Sequence, residues 1–168
     1  MRREILIGVP VLGVAIVLQT SIISRMNLLS GSADLVLLIL IAWALQERVR
    51  SAWIWGTGAG LLVGTLSAVP WYIYLASYLA AVGAARLLTR RIWQAPLLAM
   101  FAITFTGTLM LLLLTFFYRS LLELPLVLSQ AFIQVVLPST LLNLLLAIPV
   151  HALVRDLARR LYPGEVPA

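Results

Sequence analysis

Residues 124–154 read LPLVLSQAFIQVVLPSTLLNLLLAIPVHALV, thirty-one positions without a charge. As one helix the stretch would be about 46 Å long at ~1.5 Å per residue, more than the ~30 Å hydrocarbon core of a bilayer. Pro125, Pro138 and Pro149 punctuate it, and a proline inside a helix removes a hydrogen bond and crowds the preceding turn. The segment is therefore expected to divide. Leu126 to Val136 reads as a partly inserted or steeply tilted piece, and Pro138 to Val154 as the main body of a spanning helix.

The same pattern of apolar runs closed by arginine fills the rest of the chain. Ile5 to Ile23 is uncharged and ends near Arg25. Ala33 to Leu45 is shorter, about 20 Å as a helix, with Ser32 or Asp34 as an N-cap near its start. Such a short span must borrow flanking residues or thin the bilayer. Ala52 to Val69 meets Pro70, which bars the preceding residue from helical geometry. Trp71 to Leu88 follows at once, and Ile92 to Tyr118 makes a fifth run with Pro96 in its first turn. The reading is an all-α, polytopic membrane bundle of about six helices. Residues 1–154 form one membrane domain and 155–168 a cytoplasmic tail.

Composition leaves little else. Of 168 residues, 62% are hydrophobic and 11% charged, well outside the balance of soluble domains. A single His and no Cys exclude a disulfide framework and leave no Cys/His metal set. All twelve basic residues are arginine. With both termini cytoplasmic, Arg2, Arg3, Arg48, Arg50, Arg86, Arg90, Arg91, Arg155, Arg159 and Arg160 fall inside, and only Arg25 and Arg119 outside. That split obeys the rule that basic short loops stay cytoplasmic and supports an even number of crossings. The arginines would meet anionic lipid; a nucleic-acid partner is not expected.

Several residues are candidates for contact or chemistry. Gly56, Gly60 and Gly64 recur every four residues in the third run, and Ala76, Ala80 and Ala84 do so in the fourth. Small residues on one face let membrane helices approach closely, so the two rows are expected to pack on each other or on a partner's helix. Asp34 heads an apolar run, where an ionisable group is suspect for function but also suits a helix N-terminus. Gln19, Gln130, Gln134 and Asn143 lie within apolar runs and are expected to find partners inside the bundle. His151 reads as interfacial, since it lies about 18 Å along the helix from Ser139, too far for a triad. With no phosphate-cradling glycine loop, paired carboxylates or metal spacing, the expectation is no catalytic residue, no cofactor and no metal.

Leu18-Gln19 late in the first run, Asp34-Leu35 after a glycine turn, the glycine-rich third run, Pro138-Ser139-Thr140-Leu141-Leu142-Asn143 and Ala147-Ile148-Pro149 together resemble the rod shape-determining protein MreD family. The Pro138, Asn143 and Pro149 positions are the most specific part. The resemblance implies a non-enzymatic scaffold or regulatory subunit of the bacterial cell-elongation complex in the cytoplasmic (inner) membrane. It also implies association with a bitopic MreC-like protein and, through the complex, with MreB and the RodA and PBP2 peptidoglycan synthases. The residues leave a homodimer open. The alternative is a substrate-binding S-component of an energy-coupling-factor vitamin transporter, a family of similar size and span number. It tends to carry an Ala-x-x-x-Ala face on its first helix, where this chain has Gly8-Val9-Pro10-Val11-Leu12-Gly13.

Overall fold

The computed structural model describes residues 2–21, 30–47, 49, 51–91, 95–122 and 128–162. Arg25, Arg48, Arg50, Trp93, Pro125 and the end of the chain from Pro163 lie outside the described residues. The described residues are mostly helical and contain no strand. Helices α1 (Arg2–Ser21), α2 (Leu35–Ala44), α3 (Ala52–Leu66), α4 (Trp71–Arg91), α5 (Pro96–Leu121), α6 (Leu128–Ala131) and α7 (Leu137–Leu161) follow one another, with a π-helical turn at Phe132–Val136 between the last two.

Three helical stretches are long and apolar enough to cross a membrane: Trp71–Thr89, Pro96–Leu121 and Ser129–Leu161. Their outward faces carry Leu98, Phe105, Leu113, Phe117, Leu141 and Leu145, all large, apolar and exposed, an area too continuous for water. Threonines on exposed faces return their hydroxyls to their own helix. Thr57 donates to the Trp53 carbonyl at 2.9 Å, Thr65 to Leu62 at 2.9 Å and Thr106 to Ala102 at 2.9 Å. This local satisfaction is what a lipid-facing hydroxyl requires, because no water is there to bond it.

At the centre stands α2, which has only 10 residues, about 15 Å of helix. Its sequence, LVLLILIAWA, is apolar on every side, and eight of its residues are buried, as expected for a helix with no solvated face. It packs on α1, α3, α4, α5 and α7. The helix itself is thus shorter than the apolar run from Ala33 to Leu45. A half-length helix is tolerated because protein, not lipid, surrounds it and the non-helical chain leading into it.

Residues 128–161 are continuous through α6, the π turn and α7, so Pro138 and Pro149 do not divide the segment as expected from the sequence. The π turn is the physical reason at Pro138. Its wider ring is closed by the Leu137 N–H bonding to the Phe132 carbonyl, and the proline begins the following helix, where its missing N–H costs least. The helix also runs on through Arg155 to Leu161, with Val154 and Ala158 buried.

The α3/α4 pair is the most extensive contact between helices, and the glycine row of α3 makes it. A Cβ on Gly60 would stand 2.8 Å from the Leu75 Cα, and one on Gly64 would stand 2.7 Å from the Trp71 Cα. Gly56 faces Val82 and Leu79. The alanine row does not answer it: Ala76 and Ala80 are exposed and Ala84 is half-buried. Glycine leaves room for the α4 backbone itself at Trp71 and Leu75, so the row that meets it carries larger side chains lying beside the glycines rather than on top of them.

Candidate functional site: a buried polar junction at the start of α2

The segment entering α2 is extended, and an extended chain repeats every two residues over about 6.6 Å. One helical turn of α7 advances 5.4 Å, so alternate residues of the segment can meet successive turns of the helix beside it. They do. The Ser30 N–H donates to the Gln134 carbonyl at 3.0 Å, Ser32 N–H to Ser139 Oγ at 3.1 Å, and Asp34 N–H to Asn143 Oδ1 at 2.8 Å.

Each acceptor on the helix has a cause in the sequence. Gln134 lies four residues before Pro138, whose nitrogen has no hydrogen to give it, so its carbonyl is free for Ser30. Ser139 and Asn143 are four apart and share one face. Gly31 is required between them: a Cβ there would stand 2.7 Å from both the Pro138 Cβ and the Ser139 nitrogen.

Asp34 then caps α2, its Oδ1 accepting the Leu37 N–H at 2.9 Å. The Val36 N–H goes to Gln19 Oε1 of α1 at 3.2 Å. Side chains from α1 and α2 itself thus satisfy two donors that a helix N-terminus leaves open. Tyr78 of α4 reaches the same carboxylate, its hydroxyl donating to Oδ2 at 2.8 Å and Oδ1 at 3.0 Å. Asn143 uses its other end to donate from Nδ2 to Thr108 Oγ1 of α5 at 2.9 Å. Asp34, Tyr78, Thr108 and Asn143 are all buried, Asn143 to 1% exposure.

Distances along the helices place this junction well away from the arginine-rich end. Asn143 precedes Arg155, Thr108 follows Pro96, and Tyr78 precedes Arg91 by 12 or 13 residues each, about 18–20 Å of helix. Helices α1, α2, α4 and α7 are therefore tied together around the start of α2, and α5 joins them through Asn143; the Asp34 carboxyl group itself takes neutral donors, the Leu37 N–H and the Tyr78 hydroxyl. Such a network, fully bonded, specifies one packing, and is costly to leave half-made.

Of the residues singled out from the sequence, Gln19, Asp34, Asn143 and Pro138 come together here. Pro149 lies farther along α7 and is exposed. Gln130 and Gln134 are also exposed, contrary to the expectation of partners inside the bundle; Gln134 contributes its backbone carbonyl instead of its amide. Asp34 is more than the boundary cap expected of it, being buried and bonded from another helix. Tyr78, Thr108 and Ser139 were not singled out as site residues. A signal existed for two of them: Tyr78 sits inside an apolar helix, away from Trp71, Tyr72 and Tyr74 at its start, and Thr104, Gly107 and Thr108 mark a small, polar face of α5 at helical spacing. Among the described residues, no three His, Cys, Asp or Glu side chains group as a metal site.

No family model, curated protein or solved structure matches the chain.

Proposed function

We propose that this chain is a non-enzymatic membrane scaffold of the MreD type, acting by contact with other membrane proteins of the bacterial cell-elongation complex. One observation carries the reading. Three of the five segments on which the resemblance rests, Leu18-Gln19, Asp34-Leu35 and Pro138 to Asn143, contribute to a single polar junction through Gln19, Asp34, Ser139 and Asn143. A likeness scattered along the sequence becomes a likeness in one three-dimensional feature, with a physical reason for each residue type.

The same reading takes the bundle to cross the membrane six times, with α2 as a half-length crossing and both termini on the cytoplasmic side of the inner membrane. The ends of α2, α4 and α7 and the start of α5 line one recess. The ends of α1 and α3 and the start of α4 line another. That alternation supports an up-and-down order.

The partner of this reading is a bitopic MreC-like protein, which reaches MreB and the RodA and PBP2 synthases. A surface suited to its single apolar helix lies between α1, α2 and α7, a groove of about 400 Å³ whose walls include Val14, Leu18, Ile39, Leu153 and Leu157. A scaffold influences a partner only through contacts that differ between the partner's states, and an apolar groove beside a rigid junction can make such contacts. Depleting the protein in its host is expected to give rounded cells, and affinity purification in detergent to retain a bitopic partner. Normal rods and no such partner would remove the proposal, and a vitamin-induced rise in melting temperature would favour the transporter subunit instead.

A further inference from the structure

At the arginine-rich end a half-open recess of about 350 Å³ sits among the last turns of α2, α4 and α7 and the first turn of α5. It is far from the Asp34 junction and owes nothing to it. Its charged lining is Arg155 and Arg159 of α7 and Glu47 after α2; Gln46, Thr89, His151 and Tyr162 complete its polar wall. The lining itself carries two guanidinium groups against one carboxylate. Among the described residues, the ion pair of Arg155 is a 3.7 Å contact to its neighbour Asp156, with both side chains about half-exposed, a type of pair worth little in water. Its guanidinium is therefore free to turn to a ligand.

A further feature points to an occupant. His151 is 5% exposed and, among the described residues, its buried Nδ1 has no hydrogen-bond partner, a cost that a folded protein seldom carries without use. The wall that α5 adds at Pro96 and Ala99 brings no free donor, since Pro96 has no N–H and the Ala99 N–H is bonded to the Ala95 carbonyl, so side chains alone must hold a ligand. Arginine pairs are the usual partners of phosphate oxygens.

We propose that this recess binds a phosphate-bearing anion through Arg155 and Arg159, with His151 at its base. Phosphate is the shared chemistry of two sources, the headgroup of an anionic phospholipid and a soluble phosphate compound. The test uses the full chain, reconstituted in phosphatidylcholine vesicles with or without phosphatidylglycerol, and separately titrated in detergent with inorganic pyrophosphate. Retained lipid is read by native mass spectrometry and pyrophosphate binding by shift of the melting temperature. Arg155 and Arg159 are exposed, so R155Q/R159Q is expected to fold. It should weaken binding at least about tenfold, the loss expected for one charge-assisted hydrogen bond. R160Q, which alters an arginine outside the recess, should bind as the wild type does. Selective retention of phosphatidylglycerol identifies a lipid site, and pyrophosphate stabilisation a soluble ligand. Absence of both, or equal binding by R155Q/R159Q and the wild type, overturns the proposal.

Discussion

The Tyr78 hydroxyl lies 2.8 Å from one carboxylate oxygen of Asp34 and 3.0 Å from the other, joining α4 to the start of α2 across 44 residues of sequence. Removing the hydroxyl leaves a buried carboxyl oxygen short of a partner, which costs roughly 1–3 kcal/mol, above the ~0.6 kcal/mol average for interhelical bonds in membranes. Tyr78→Phe is accordingly expected to lower stability by about 2 kcal/mol in reversible unfolding from detergent micelles. Asp34→Ala, which also removes the cap on Leu37, should cost more. A Tyr78→Phe protein as stable as the wild type would mean that the pair does not form.

Asn143 and Thr108 form an ordered series. Asn143→Leu strands two groups, the Asp34 N–H and the Thr108 hydroxyl, and should cost roughly 1–3 kcal/mol for each group left unpaired. Thr108→Val strands one group, the Asn143 amide nitrogen, and should cost about half as much, roughly 1–3 kcal/mol. Melting temperatures of the two variants check the order, and the reverse order would contradict the assigned bonding.

Neighbouring glycines of α3 should respond oppositely to alanine. At Gly60 the added methyl meets the Leu75 backbone at 2.8 Å, and overpacking of this kind costs roughly 1–3 kcal/mol. At Gly58 nothing lies within 4 Å, so Gly58→Ala should gain roughly 0.5–1 kcal/mol through helix propensity. Equal effects at the two sites would show that α3 does not present its glycine row to α4.

Topology is testable without background because the chain has no cysteine. Ser120→Cys, beyond the uncharged part of α5, should react with a membrane-impermeant maleimide on intact cells. Thr89→Cys, at the arginine-rich end, should react only after permeabilisation. The opposite pattern would invert the bundle and the basis of its proposed partners.

Much of the architecture was legible in the sequence, and the misreadings share a cause. Apolar runs and arginines located α3, α4 and α5 closely, because the cost of burying charge in lipid acts on each helix by itself. Asp34 as a cap was legible for the same local reason. The pairing of Asp34 with Tyr78, and of Asn143 with Thr108, depends on how helices are rotated against each other, and periodicity does not settle that where every face is apolar. Spacing alone sets Ala76 and Ala80 against either the glycine face or a partner's helix, since residues four apart in α4 mark several equivalent stripes. Pro138 was read as a break because its missing N–H matters within α7; the compensating donor, Ser30, is remote in sequence. The family resemblance drew attention to Gln19, Asp34, Pro138 and Asn143 without indicating that they meet.

The central claim is that the extended chain before α2 lies against α7 within the bundle, and a disulfide tests it most directly. Ser32 and Ser139 are 107 residues apart and joined at 3.1 Å through N–H and Oγ. In the cysteine-free chain, a Ser32→Cys, Ser139→Cys double variant is expected to form an intramolecular disulfide on mild oxidation in the membrane, read as a mobility shift reversed by reductant. A Ser32→Cys, Gly58→Cys pair should not. No cross-link in the first pair, or equal cross-linking in both, would contradict the junction on which the functional reading rests.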